Sequence, residues 1–203
     1  MLSVDMSALW GDDDEQIVKG ITEATNNIFR YLKNQNAPKV MFCELKSDIN
    51  SVCHFWAGNT YVGQPKTKAI KKAFQVFFEA FMQLLLAIKD SDRDYEKHFS
   101  KSILYRGTVY RYLGNNQSTD KVIKPRFDRT YVSWSKNPQN DYIESKLYGT
   151  MTWLSCKISD PFWGIDLDAL GCSRNTECEV VFPTIKKRIT EIKYISEDDD
   201  DET

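Results

Sequence analysis

Two carboxylates stand two residues apart ahead of an apolar run near the end of the chain. Glu177 and Glu179 flank Cys178, and Val-Val-Phe-Pro follows directly. The β-branched and aromatic residues predict a strand over 178–183, on which residues i and i+2 point to the same face. Both acids are therefore expected to project together. Buried carboxylates are costly, so the pair indicates acid–base or electrostatic chemistry. The alternative is two solvated acids at a strand end.

Two earlier stretches carry side chains that complement such a pair. The first is Leu-Tyr-Arg-Gly, residues 104–107, and the second is Tyr-Val-Ser-Trp-Ser, residues 131–135. Arg106 offers a planar fork that can hold phosphate oxygens through two hydrogen bonds. Gly107 lets the backbone approach a ligand closely. Taken alone, the arginine is equally explained by a surface salt bridge, and Ser133 by an ordinary position in a strand.

The elements that must position these residues fall into a helical and a β-rich half. Helical spacing predicts a helix after the acidic run 12–15, two short helices within 39–63 and a long helix over 66–89. Beyond the polar loop 90–94, strands are predicted at 103–112, 129–135, 150–158, 164–167, 178–183 and 188–195, with a short helix at 138–147. Residues 197–203 form an acidic tail.

Composition limits the classes of function. The 203 residues are 41% hydrophobic and 28% charged, as in globular proteins, and the net charge of −2 predicts no general attraction to nucleic acid or to a membrane. The five cysteines include no C-x-x-C pair, which indicates no zinc site and fits a reducing compartment. Cys53 and His54 are sequence neighbours and would not face each other as a catalytic pair. No signal peptide is expected, so a cytoplasmic protein, or one delivered into a host cytoplasm, is predicted.

The three stretches, in this order and on strands, resemble the Arg–Ser–Glu class of mono-ADP-ribosyltransferases. That family, which includes toxins, phage transferases and ecto-enzymes, has an aromatic-Arg-Gly strand, a Ser-Thr-Ser strand and a Glu-x-Glu strand. Residues 164–167, Gly-Ile-Asp-Leu, are also similar to it. The resemblance covers residues 104–183. One departure is Trp134, which stands where the family has Thr.

The resemblance implies an α+β fold in which a β-sandwich core binds NAD. Residues 101–196 would form this ADP-ribosyltransferase core, and residues 1–100 a helical region packed on it. NAD would be a substrate, with no metal required. The loop over 170–176 would correspond to the family's target-recognition turn, with Cys172, Arg174 and Asn175 exposed in it.

The resemblance also assigns roles to the site residues. Glu179 would contact the ribose 2′-hydroxyl and stabilise the cation formed as nicotinamide leaves, and Ser133 would orient Glu179. Glu177 would bind the guanidinium of an arginine acceptor and take its proton. Arg106 would hold the NAD phosphates, and Gly107 would let the backbone approach the nicotinamide amide closely. Trp134 and Ser135 complete the predicted NAD-binding set.

The implied function is transfer of ADP-ribose to a target macromolecule, in the first place a protein arginine, by a toxin, effector or phage-type modifier. The alternatives are NAD hydrolysis, with water as the acceptor, and transfer to a nucleic acid base through a local basic patch at 121–129. A degenerate fold used only for binding is the alternative that involves no catalysis.

Overall fold

A computed structural model describes two compact units of the chain, divided between Ile103 and Leu104. The described residues are 13–34, 36–59, 67–113, 132–138, 151–158, 161–172, 178–182 and 189–195. The first unit carries four helices and the second an antiparallel sheet. The α+β class is therefore confirmed, and the division lies close to the predicted change of pattern.

The helices of the first unit follow from capping residues and apolar spacing. Asp13 accepts a hydrogen bond from the backbone N–H of Glu15, and Thr67 accepts one from Ile70, so each caps a helix N-terminus. The helices that follow these two caps, residues 14–33 and 68–88, each bury one apolar face. The buried face of the helix at 68–88 is rich in phenylalanine. The helices are α1 (Asp14–Lys33), α2 (Lys39–Asn59), α3 (Lys68–Ile88) and α4 (Asp94–Ile103).

Two expectations for the helical half are wrong. Residues 39–59 form one helix instead of two short ones, because the polar centre of α2 contains no Gly or Pro and its buried Asp48 accepts a hydrogen bond of 2.9 Å from Asn27. Helix α4 is the second, because no element is predicted at residues 95–102 and the β-rich half is expected to begin beyond the loop 90–94. Its buried face has helical spacing but combines Glu96 and Ser100 with Phe99 and Ile103, so the apolar pattern is hidden.

Buried Glu96 joins three parts of the helical unit. It accepts hydrogen bonds from Tyr31 of α1, from Ser91 ahead of α4 and from Arg93, 3.1 Å away. Arg93 also donates to the carbonyl of Ala37 at 2.8 Å, between α1 and α2. These bonds compensate the desolvation of the Glu96 carboxylate and fix the helix connections.

The strands of the second unit lie where alternation predicts them. Each predicted strand is confirmed to within a few residues, except that the first is interrupted at Arg106. The predicted helix at 138–147 and the acidic tail lie outside the described residues. The strands are β1 (Leu104–Tyr105), β2 (Gly107–Leu113), β3 (Val132–Ser135), β4 (Met151–Ile158), β5 (Gly164–Asp166), β6 (Glu179–Phe182) and β7 (Ile189–Ile195).

The sheet order shows that the first predicted strand is bent, and that its two parts, β1 and β2, pair in different places in the sheet. The order is β1-β5-β6-β3-β2-β4-β7, with all neighbours antiparallel. Only Arg106 separates β1, at one edge, from β2, which lies between β3 and β4. Counted as one bent strand, β1–β2 closes a ring through β5, β6 and β3. The sheet is therefore nearly closed, like a barrel.

Two glycines permit this closure. Gly107, just after the bend, has a φ of 154°, a conformation that favours glycine. A Cβ atom on Gly164 would lie 2.6 Å from Val180 Cγ1 and 3.1 Å from Ile158 Cδ1. Ile158 belongs to β4, four strands from β5 in the sheet order, so this contact crosses the inside of the curled sheet.

We expect opposite effects from the same substitution at two glycines. Gly164→Ala should lower the free energy of unfolding by about 1–3 kcal/mol, because the methyl group overpacks the inside of the sheet. Gly58→Ala, in the last turn of α2 with nothing within 4 Å of its Cβ, should raise it by about 0.5–1 kcal/mol. Urea denaturation measures both. Equal tolerance of the two changes would contradict the tight closure at Gly164.

Candidate functional site

Ser133 and Glu179 are in direct contact on adjacent strands. The Ser133 hydroxyl donates a hydrogen bond to Glu179 Oε1. In the β3–β6 register, Ser135 lies opposite Glu179 and Ser133 opposite Val181, so the bonded pair is a diagonal neighbour on one face. Glu179 is buried, with 3% of its surface exposed. The predicted contact between the serine and the second acid is confirmed.

Arg106 belongs to the same face of the sheet, hereafter the Glu179 face. Directly opposed residues share a face, so the pairs Leu104–Ile165, Ile165–Val181 and Val181–Ser133 connect Leu104 to Ser133. In the other direction round the ring, Tyr110 pairs with Ser135. Leu104 and Tyr110 thus lie on the Glu179 face by independent routes. Arg106 lies at the bend between β1 and β2, an even number of residues from both, so we infer that it is on this face too.

The Arg106 side chain is exposed and held by aromatic residues ahead of β5. Its guanidinium carbon lies 3.5 Å from the ring centroid of Trp163, and its Nε donates to the Phe162 carbonyl at 3.2 Å. At the other end of β5, the Glu179 carbonyl accepts a hydrogen bond from Leu167 N–H at 2.9 Å. The three residues of β5 span roughly 10 Å. Arg106 therefore lies near the start of β5, and the backbone of Glu179 lies near its end.

The other residues of the predicted NAD-binding set, Trp134, Ser135 and Gly107, lie in three different places. Trp134 is buried at 2% exposure on the opposite face, so its side chain does not point toward Ser133 and Glu179. Ser135 lies on the Glu179 face, but its hydroxyl exchanges hydrogen bonds with the backbone of Asn137 and ends β3. Gly107 lies at the bend beside Arg106.

The backbone changes direction immediately before Glu179. Cys178 has a φ of 43°, which is uncommon for a residue with a side chain, and β6 begins only at Glu179. Glu177 lies outside the described residues, so the common face expected for Glu177 and Glu179 stays a prediction. Cys178 is half-buried, and burial raises the pKa of its thiol.

Arg111 is a candidate that the sequence motifs do not include. Its Nη1 donates to the Ser133 carbonyl at 2.6 Å. Burial lowers the pKa of the Arg111 guanidinium to about 10, although the nearby charge of Glu179 acts in the opposite direction. The sequence carried a signal: Arg111 alternates with Val109 on the buried side of β2, where a charge needs a partner.

Lys136 contacts both ends of the connection between β5 and β6. Its Nζ lies 2.9 Å from Asp166 Oδ2 and 3.1 Å from Asp168 Oδ2, and its backbone N–H donates to the Cys178 carbonyl at 3.0 Å. The connection enters β6 directly at Glu179. Lys136 therefore helps to fix the backbone from which Glu179 projects.

The prediction that Cys172 is exposed is wrong. Its side chain is buried at 3% exposure, and its N–H donates to the Leu167 carbonyl at 2.9 Å, which turns the chain inward after β5. Burial, assisted by the charge of Glu179, raises the pKa of the Cys172 thiol to about 12. Arg174 and Asn175 lie outside the described residues.

Cys53 and His54 do not form a catalytic pair. Cys53 is buried and its neighbour His54 exposed, so they point in different directions. Within the described ranges, no cluster of three or more His, Cys, Asp or Glu side chains could hold a metal ion. None of the described helices is both long and apolar enough to cross a membrane.

Comparison with known protein families, curated proteins and solved structures gives no match to this chain.

Cysteine labelling tests the interior placement of the loop after β5. At pH 8, native protein treated with iodoacetamide should be modified at exposed Cys43, while Cys172 should react at least about 100-fold more slowly because it is buried and protonated. Peptide mass spectrometry measures both rates, and urea-unfolded protein should label at both. Comparable native rates at Cys43 and Cys172 would contradict the buried position.

Proposed function

We propose that this protein is an NAD-dependent mono-ADP-ribosyltransferase. The observation that carries the proposal is the hydrogen bond from Ser133 to buried Glu179, on the face of the sheet that also includes Arg106. An arginine, a serine and a glutamate from three separate stretches thus share one face. That arrangement is what the resemblance to the Arg–Ser–Glu class requires of these residues.

The chemistry of NAD cleavage gives Glu179 its role. Breaking the bond between nicotinamide and ribose leaves the electron pair on nicotinamide and a cation-like ribosyl carbon. A fixed carboxylate stabilises this charge and can accept a hydrogen bond from the ribose 2′-hydroxyl. Burial increases the electrostatic effect of Glu179, and the Ser133 hydrogen bond fixes its orientation. Ser133 acts here as a positioning residue.

Arg106 suits the phosphates of the substrate. Its side chain is exposed, and an exposed guanidinium is a good ligand for phosphate oxygens. The separation of Arg106 from Glu179 along β5 matches an elongated dinucleotide better than one small group. The curled sheet, in which β5 approaches β4, is compatible with the sandwich-like core expected for this family.

The acceptor in this proposal is a protein arginine. The guanidinium nitrogen would bond to the ribosyl carbon and lose a proton, and Glu177 is the residue proposed to accept that proton. Water as the acceptor gives NAD hydrolysis, and a nucleic acid base gives a third product. A binding module without catalysis is the remaining alternative; the buried Ser133–Glu179 bond favours an enzyme over it.

Nicotinamide release tests the proposed reaction. Wild-type protein should release nicotinamide from NAD, and Glu179→Gln should reduce the rate by about 10²–10³-fold because the stabilising charge is lost. Ser133→Ala should cost less, roughly 10- to 100-fold, since it removes one hydrogen bond to a charged group. Chromatographic measurement of nicotinamide gives all three rates.

The control is Glu79→Gln, which makes the same change at an exposed position of α3 and should leave the rate unaltered. Circular dichroism should show each variant folded. A folded Glu179→Gln protein that retains the wild-type rate would reject the assignment, and a wild-type protein without nicotinamide release would reject the proposed activity.

Glu177→Gln should separate transfer from cleavage. The substitution keeps the size of the side chain but removes its charge and its ability to act as a base. Arginine modification should fall strongly, while slow nicotinamide release in the absence of acceptor should be largely retained. Both rates are measured in one preparation, with agmatine as the arginine-like acceptor. Full transfer by the variant would contradict the role of Glu177, and equal loss of both rates would contradict the division of labour.

A further inference from the structure

The guanidinium of Arg106 is held by contacts with Trp163 and Phe162. Its central carbon lies 3.5 Å from the Trp163 ring centroid, and its Nε donates a hydrogen bond to the Phe162 carbonyl. Both contacting residues belong to the short segment ahead of β5. Phe162 follows Arg106 by 56 positions in the sequence. Arg106 is exposed, and an exposed arginine otherwise samples many rotamers.

The indole ring and the ligand would use different parts of the guanidinium. Stacking occupies one flat face, whereas the N–H groups lie in the plane and point outward from its edge. Stacking on Trp163 can therefore fix the plane of the guanidinium without using its in-plane N–H donors. A donor whose orientation is fixed in advance loses less entropy when it binds an anion.

The platform is itself rigidly supported. Gly164, the next residue, pairs with Tyr105 in the β1–β5 register, and its backbone approaches Val180 too closely to accept a side chain. Trp163 is half-buried and directly precedes this pairing. The position of the indole ring is thus set by the same closure of the sheet that places Arg106 at the bend.

We infer that Trp163 is a positioning residue that orients Arg106 to bind the pyrophosphate of a dinucleotide. The substrate identity rests on the proposed function; the stacked pair and its predicted affinity for a diphosphate do not require catalysis. Trp163 lies outside the three motifs, so the sequence alone gave it no role.

The test measures binding of ADP and of inorganic pyrophosphate by isothermal titration calorimetry. Trp163→Leu removes the π face but keeps apolar bulk, and it should weaken binding of both ligands by up to about 30-fold, because binding must then order a freely rotating arginine side chain. Trp163→Phe keeps an aromatic face and should restore affinity to within a few-fold of wild type. Weakening for ADP but not for pyrophosphate would place Trp163 against the base and overturn the inference.

A double-mutant cycle with Arg106→Met separates positioning from general structure. If Trp163 acts through Arg106, Trp163→Leu should have no further effect once the guanidinium is absent. An unchanged effect of Trp163→Leu in the Arg106→Met background would overturn the inference. Thermal denaturation checks folding, and Trp163→Met replaces Trp163→Leu if the latter unfolds.

The steady-state kinetics add a readout that distinguishes this inference from the proposed function. Trp163→Leu should raise KM for NAD with kcat largely retained, unlike Glu179→Gln. Nicotinamide release with unaltered KM and ADP affinity in Trp163→Leu would reject the inference and leave the proposed activity standing. Diphosphate binding that follows the cycle, without nicotinamide release, would support the inference and reject the activity.

Discussion

Glu179 is almost completely withdrawn from water, and a buried carboxylate is stable only where hydrogen bonds and nearby positive charge compensate its desolvation. Ser133 supplies the hydrogen bond, and the guanidinium of Arg111 supplies the nearby positive charge. The same guanidinium donates a hydrogen bond to the Ser133 carbonyl. Lys136 fixes the turn that leads into Glu179. Much of the local structure of β3 and β6 thus surrounds one acidic side chain, on which the proposed activity depends.

The bent first strand relates this acid to the phosphate-binding end of the proposed site. Because β1 pairs with β5 and β2 with β3, a single bend at Arg106 determines both the curvature of the sheet and the place of the arginine. Gly107 makes the bend possible, and Gly164 allows the tight approach inside it. Closure of the sheet and assembly of the candidate site are therefore consequences of the same backbone geometry.

Much of this arrangement was predictable from sequence, because strand alternation and motif order are local properties. The positions of the β-strands along the chain were predicted in this way, whereas the Ser133–Glu179 contact was predicted from the family resemblance. The single helix α2 was not, since its polar centre depends on Asn27 of another helix. Nor was the burial of Cys172, which follows from a backbone turn after β5 that residue types alone do not specify. Trp163 and Arg111 were missed because their roles come from partners far along the chain.

The most direct test of the central claim follows the adenylate half of NAD. The protein is incubated with NAD labelled in its adenylate phosphate and with cell lysate, and the products are separated into protein, nucleic acid and free nucleotide. Transfer to arginine predicts label on protein that neutral hydroxylamine removes and that is absent with Glu179→Gln. Label on nucleic acid or only free ADP-ribose would contradict protein as the acceptor, and intact NAD would contradict the proposed chemistry altogether.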